Sequence, residues 1–486
     1  MLSFDPNSLS LPAGHYINGA FRPGPTEIEL FRASDGAAYA GCAIADAATV
    51  DDAVEAASAA LKANGWGEVA PRERRNLLCR WADLIEAEAA SLAALECVGS
   101  TRLISQAARM DIAVTAEQIR FFAEFADKEG GMVAPTGSET MGMVVDEPYG
   151  VVAAITPWNF PVSMAGWKLG PALAAGNAVV IKPSELTPFS TLRLAELAVR
   201  AGLPAGLLNV VTGDGSTTGN ALTGHAGIAK VSFTGSTGAG RAIMGNIARH
   251  GVKPMTLELG GKSPQLVFAD ADLAAAATAI AGSILFNAGQ ACVAGARVIV
   301  DRRVADALTE RLKLAMSDVM PGPTWDDQTT FSPIVSERQL QRIEGLVSSA
   351  VAAGAETLIG GAVFDRDGYF FQPTLLSSVP RANPILGEEV FGPVLTLETF
   401  EDEDEALALA DHEIYGLAAG IFTKDLSRAL RVMRRLESGT VWINRYSRSR
   451  DHILPTGGYK QSGFGKDLGR EVYHANRRHK SVLIQL

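Results

Sequence analysis

At 486 residues the chain is too long for one simple core, so two or three domains are expected. With 47% apolar and 20% charged residues it has the composition of a compact soluble globule, which excludes a disordered or fibrous chain. A formal net charge of −11 leaves no net basic field to gather phosphates, so a nucleic-acid partner is not expected.

Taken in chain order, the opening "MLSFDPNSLSLPAGHYING" has neither a basic n-region nor an apolar h-region, and no secretory signal is read there. Cysteines at 42, 79, 97 and 292 show no CxxC spacing and read as reduced thiols in a cytoplasmic setting. The seven histidines are scattered without HxxxH or HExxH, so no metal site is expected. Residues 45–128 are alanine-rich with helical spacing. From 148 onward the texture changes. The strand-like runs "GVVAAITP", "NAVVIKPSE", "LLNVVTGDG" and "KVSFTGST" alternate with helical stretches, which implies βαβ units and a parallel sheet. A second set, "QLVFA", "ARVIVD", "VLTLETF", "AAGIFT" and "GTVWIN", follows "LELGGKSP" and places a lobe boundary near Glu258 to Gly261. The apolar "LAAAATAIAGSILFNAG" falls short of a membrane span and reads as a buried helix, so no membrane association is expected. Two strand-like pieces, "TMGMVVDEPYG" and "HKSVLIQL", fit neither lobe. An isolated two-strand ribbon is marginal, so they are expected to pair with each other or with another subunit.

Four segments have the composition of chemistry. "FTGSTGAG" ends a strand and opens a helix, so that Gly235 and Ser236 can bring backbone N–H groups to a phosphate; its spacing is not GxGxxG, and a structural turn fits as well. "VTGDGSTTG", with Gly213, is a second such turn with the same ambiguity. In "IKPSE", Lys182 and Glu185 close an apolar strand. An acid there can accept both hydroxyls of an adenosine ribose while repelling a 2′-phosphate; the plainer reading is a solvated helix start. In "FNAGQACVAGARV", Cys292 lies among small residues that leave room beside the sulfur, although a packing cysteine is the commoner fate of a free thiol. No neighbour in sequence supplies a base. Glu258, an acid between apolar residues at the lobe boundary, would have a raised pKa if buried and would suit a general base; a strand-end acid facing water is the alternative.

Together "TPWNFP", "KPSE", "FTGST", "LELGGKSP", "GQAC", "EEVFGPV" and "GGYKQSGFG" occur in the order and rough spacing of the aldehyde dehydrogenase superfamily, which the chain resembles from "INGAFR" to "HKSVLI". The resemblance implies an α/β fold with a Rossmann-like cofactor domain (1–128 and 149–258), an α/β catalytic domain (259–465) and a β-ribbon oligomerisation arm (129–148 and 466–486), assembled as a homodimer or homotetramer. It implies oxidation of an aldehyde to the acid, with Cys292 forming a thiohemiacetal, Asn159 and the cysteine N–H holding the oxyanion, hydride passing to the nicotinamide, and Glu258 activating the water that cleaves the thioester. By the same resemblance Lys182 and Glu185 hold the adenosine ribose, Ser236, Gly235 and Gly213 belong to the phosphate side with Trp158 nearby, and Glu389 and Phe391 place the nicotinamide ribose and ring. Glu185 favours NAD, with NADP possible. Glu258 points to hydrolytic release, because relatives that pass the acyl group to coenzyme A usually lack it.

One departure stands out. Relatives mostly carry small or apolar residues after "VWIN", whereas "RYSRSRDHILPTGG" brings Arg445, Arg448 and Arg450 to a stretch that lines the substrate mouth in the family. These form a candidate fork for a substrate carboxylate, hence a carboxylated semialdehyde, unless they pair with acids such as Asp451 or face another subunit. The remaining wall expected from the resemblance is apolar, with Phe160, Met164, Trp167, Val293, Ile453 and Leu454, which keeps medium-chain and aromatic aldehydes in view. Readings of another class are a cysteine esterase using the same thiol, and a non-catalytic scaffold; the presence of Cys292, Glu258 and Asn159 argues against the scaffold.

Overall fold

The computed structural model describes residues 2–447 and 452–486. Two large sheets organise it. In the first, the spatial order is Ala20–Arg22, His15–Ile17, Leu208–Val210, Ala178–Lys182, Val151–Ile155, Lys230–Thr234, Met255–Glu258 and Gly463–Phe464. Its middle five strands are parallel and the flanking pairs antiparallel. In the second the order is Glu356–Ile359, Thr374–Ser377, Val394–Phe400, Arg297–Asp301, Pro264–Val267, Ala418–Phe422 and Thr440–Ile443, parallel except at the first pair.

Central strands such as "AVVIK" and "RVIVD" are buried at every position, because helices cover both faces of a parallel sheet. The core of the first lobe packs Val151, Val179, Ile181 and Val231 of the sheet with Trp66, Trp81 and Phe122. In the second lobe Val267, Val298 and Val300 meet Ile280, Ile284 and Leu308. Each such side chain contributes roughly 1.5–3 kcal/mol relative to exposure. Among the described residues no helix is long and apolar enough to cross a membrane.

The two stray strands pair with each other: Thr140–Pro148 runs antiparallel to Arg477–Gln485 over nine residues, with Met132–Ala134 on its other side. Two details depart from the expected division at 465/466. Gly463–Phe464 is an edge strand of the first sheet, bonded to Leu257 and Glu258, although it falls inside 259–465. Helix Gly469–Ala475 buries Val472 and Tyr473 in the first core, so of 466–486 the strand Arg477–Gln485 alone reaches the ribbon. Short strands that have no period to read, Thr374–Ser377 and Glu356–Ile359 among them, complete the second sheet.

Candidate active site

In the first sheet the chain runs from Val151–Ile155 out through Ala178–Lys182 to Leu208–Val210, then returns to the other side at Lys230–Thr234. The order reverses between Val151–Ile155 and Lys230–Thr234, the place where open α/β sheets leave a crevice at the carboxyl ends of their strands. Loops from those ends, Pro157 to Phe160 and Gly235 to Gly238, enter a cavity of about 780 Å³ shared with the second lobe. It is also lined by Glu258, Cys292, Val293, Glu389, Phe391, Met164 and Trp167.

Cys292 is delivered by a helix and a strained turn. Asp272 caps Leu273–Leu285 by accepting from the N–H groups of Ala274 and Ala275. After it Asn287 (φ 51°) and Ala288 (φ 50°) are both left-handed, a conformation that costs non-glycine residues about 1–3 kcal/mol and clusters at functional sites. Gly289 follows at φ 72°, where a Cβ would meet the Gly392 carbonyl oxygen at 2.1 Å; glycine is required. Cys292 is partly exposed, whereas Cys42 and Cys97 are buried. Burial pushes the Cys42 thiol up to about 11, the Cys97 thiol well up and the Cys79 thiol up, so none of these three is disposed to act as a thiolate.

Glu258 ends the strand Met255–Glu258 and is 7% exposed, so the water-facing alternative does not hold. Its backbone is held by Thr234 and Gly463 on either side, and its carbonyl accepts from Gly235 N. A Cβ on Gly457 would lie 2.6 Å from its Oε1, so the "PTGG" turn packs directly on the carboxylate. The two glycines after it are close approaches as well. A Cβ on Gly260 would strike the Glu389 carboxylate at 2.2 Å, and one on Gly261 would stand 2.8 Å from the Cys292 carbonyl oxygen.

Glu389 accepts from Gly261 N at 3.0 Å. Burial pushes its carboxyl up to about 7, against the pull of that N–H, of Lys262 and of Arg342. Lys262 is fully buried and burial lowers it to about 7 as well. Phe391 is left-handed (φ 56°) and meets Trp158 edge to face at 5.3 Å. Ser236 caps the helix Thr237–His250 by accepting from Ala239 N, which leaves the helix N-terminus facing the crevice, a setting suited to a pyrophosphate. Lys182, Glu185 and Gly213 gather one strand away: Lys182 Nζ donates to Gly213 O at 2.6 Å and to Pro183 O at 3.0 Å, and lies 3.8 Å from the Glu185 carboxylate. These residues fit a dinucleotide laid along the carboxyl edge of the sheet.

The same cavity brings together Phe160, Met164, Trp167 and Val293 with residues that sequence reasoning missed: Met110, Asp111, Val114, Gln118, Phe286, Tyr446 and His452. Asp111 forms a buried ion pair with Arg102 at 2.8 Å, and the guanidinium lies 4.7 Å from the centroids of both Phe160 and Phe286, which stack at 5.7 Å. The signal for Asp111, Val114 and Gln118 was their shared helix face, which a sequence cannot tell from a core stripe. Arg445 does not line this cavity. Its guanidinium donates to Ser447 O, and the residue borders an open depression with Ala274 and Thr278. Ile453 and Leu454 are likewise outside the cavity, 66% and 63% exposed. Arg448 and Arg450 lie outside the described residues.

The sequence profile of the aldehyde dehydrogenase family matches residues 21–482. An aldehyde dehydrogenase from Emericella nidulans is 41% identical over 477 residues, which cover 98% of this chain and 95% of that protein. A mitochondrial aldehyde dehydrogenase from Leishmania tarentolae is 40% identical, covering 96% and 93%. The crystal structure of an indole-3-acetaldehyde dehydrogenase with NAD+ superposes with a TM-score of 0.97 at 38% identity, covering 99% of this chain and 98% of that one. A γ-glutamyl-γ-aminobutyraldehyde dehydrogenase from Burkholderia cenocepacia J2315 gives 0.96 at 40%, with the same coverage.

Proposed function

Because the chain belongs to the aldehyde dehydrogenase family, it is an enzyme that oxidises an aldehyde with NAD, and we propose that its substrate is a medium-chain or aromatic aldehyde. The observation that carries this is the wall of Phe160, Met164, Trp167, Phe286 and Val293 beside Cys292. Similarity to an indole-3-acetaldehyde dehydrogenase supports the aromatic reading. A carboxylated semialdehyde needs a cation on that wall. Among the described residues, the arginines lining the cavity are Arg338 and Arg342; Arg342 donates to the Glu388 carboxylate and the Glu389 carbonyl, on the side assigned to the cofactor.

In this reading Cys292 Sγ attacks the carbonyl carbon, and the developing oxyanion is received by the Asn159 amide and the Cys292 N–H. Bound NAD supplies the hydride acceptor. Loss of hydride leaves a thioester on Cys292; Glu258 takes a proton from water, which cleaves the thioester and returns acid and thiol. Lys182 and Glu185 hold the adenosine ribose, with Gly213 fixing Lys182. Ser236 and Gly235 face the pyrophosphate with Trp158 close by, and Glu389 with Phe391 places the nicotinamide ribose and ring. The cofactor lobe is 1–128 with 149–258, completed by the edge strand Gly463–Phe464 and the helix Gly469–Ala475, and the catalytic lobe is the remainder of 259–465. The ribbon, which the sequence placed at 129–148 and 466–486 and which uses Arg477–Gln485 of the second segment, builds a homodimer or homotetramer, which its exposed Met132, Val133, Leu483 and Ile484 favour.

The substrate reading is tested by NADH formation with phenylacetaldehyde, hexanal and a semialdehyde of matched length. The neutral aldehydes are expected to exceed the semialdehyde in kcat/KM by about tenfold or more, the worth of a buried carboxylate left without its cation. A preference for the semialdehyde would overturn the apolar reading in favour of a carboxylate-binding site.

The cofactor assignment carries a pH dependence. An ionised Glu389 accepts ribose hydroxyls and a protonated one does so less well, so binding strengthens as pH rises through about 7. NADH affinity, read by its fluorescence, is expected to fall about tenfold from one pH unit above that value to one below. In Glu389→Gln the affinity should be weaker and flat with pH; an unchanged slope would remove Glu389 from the ribose.

A further inference from the structure

Asn159 and Cys292 belong to different lobes, yet an oxyanion is stabilised only by donors placed to a fraction of an ångström before charge develops. Three buried amides join the two loops in a closed ring. Asn159 Nδ2 donates to the Gln290 main-chain oxygen at 2.9 Å. Gln290 Nε2 donates to the Asn287 main-chain oxygen at 2.9 Å. Asn287 Nδ2 donates to the Asn159 main-chain oxygen at 3.1 Å, and also reaches the Gln290 oxygen at 3.3 Å. Each side chain thus holds the backbone of the next.

The ring is anchored from outside. Thr101 Oγ1 donates to Asn287 Oδ1 at 2.7 Å, Gln290 Nε2 also donates to Pro333 O, and Val335 N donates to Gln290 Oε1. These contacts fix the amide orientations, because a carbonyl oxygen can only accept and a backbone N–H can only donate. The Gln290 carbonyl therefore faces the NH2 of Asn159 and engages one of its two hydrogens, leaving the second for a ligand in the cavity. Asn287, Gln290 and Thr101 are no more than 1% exposed, so the ring is not exchanging with bulk water. The left-handed backbone at Asn287 turns its side chain to Asn159 while its carbonyl meets Gln290, and asparagine tolerates that conformation better than most residues.

We infer that Asn287 and Gln290 are positioning residues that index the oxyanion amide of Asn159 against the Cys292 loop. The inference rests on the reading of Asn159 as an oxyanion donor. Asn287 touches no reacting atom and acts through Asn159; Thr101 sets the amide of Asn287.

A double-mutant cycle separates positioning from general support of the fold. Asn159→Ala is expected to lower kcat by about 10²–10³-fold, the loss seen when one oxyanion donor is removed. Asn287→Gly keeps a backbone free to be left-handed and is expected to lower kcat by about tenfold or more with NAD affinity unchanged. In the Asn159→Ala background the same change should cost less than about twofold, because the group it positions is gone. Thr101→Val should repeat the pattern more mildly, with Thr101→Ser restoring most of kcat, and it provides the cycle if Asn287→Gly fails to fold. Equal losses in both backgrounds would overturn the inference and leave these residues as packing. Full activity of Asn159→Ala would overturn the reading of Asn159 itself and the inference with it.

Discussion

Cys292→Ala is expected to abolish NADH formation, lowering kcat by about 10⁴-fold or more, as removal of a covalent nucleophile does. The variant should remain folded and bind NAD with little change. The size of the effect follows from what else is available. Among the described residues Cys292 is the one thiol lining the cavity; the other three are Cys42 and Cys97, both buried, and Cys79, whose thiol burial also raises. No neighbouring sulfur can take over. The fold is spared because Cys292 is partly exposed and an alanine fits the run of small residues around it; the neighbouring Cys292 carbonyl keeps its approach to Gly261. Three measurements check this together: NADH formation, NADH fluorescence on binding, and thermal melting. Alkylation adds a fourth, since an aldehyde substrate should protect one thiol and the variant should lack the fast-reacting one. Residual turnover within about tenfold of the parent would assign the nucleophile elsewhere. Ester hydrolysis that survives the substitution while NADH formation is lost would point to a second hydrolytic group and revive the esterase reading.

The central strands were legible because both their faces are covered, which leaves short apolar runs such as the "AVVI" of Ala178–Lys182 and the "VIV" of Arg297–Asp301 that no surface element would keep. Thr374–Ser377 and Glu356–Ile359 were not, since four residues carry no period. The resemblance led to Cys292, Glu258 and Asn159, which line one cavity although 133 positions separate Asn159 from Cys292 in the chain. The apolar wall of the cavity behaved differently. Its acid, Asp111, sits on a helix face whose spacing is that of any buried stripe, and its meaning comes from Arg102 and the two rings beneath the guanidinium. Arg445 misled for the converse reason: sequence gives proximity to the site along the chain, while the direction of an exposed loop side chain is set by tertiary contacts. The amide ring was written openly in "FNAGQAC" as an asparagine and a glutamine three apart. Only the third member, Asn159, contributed by the other lobe, turns that spacing into a device.

Glu258→Gln is expected to separate the two halves of the reaction. On the proposed mechanism, with the base gone the thiol, the Asn159 amide and the NAD site are all in place, so the first hydride transfer should proceed and the thioester should accumulate on Cys292. Mixing enzyme, NAD and aldehyde should give a rapid burst approaching one NADH per site, followed by a steady rate lower by about 10²–10⁴-fold, the range for loss of a positioned general base. Glutamine is the informative replacement. It preserves the volume against the Gly457 turn, where the carboxylate is tightly packed, and the strand pairing of Met255–Glu258 with its neighbours does not involve the side chain. A failure to fold is therefore not expected, and melting should shift by no more than a few degrees. Acid quenching of the burst state followed by mass measurement should find the acyl adduct on the peptide containing Cys292. A small added thiol should restore turnover, because it attacks the thioester without needing an activated water. If instead the burst disappears along with the steady rate, Glu258 acts before hydride transfer, as the base that makes the Cys292 thiolate. The two roles differ in one observable, the amplitude of the first turnover, and that amplitude decides between them.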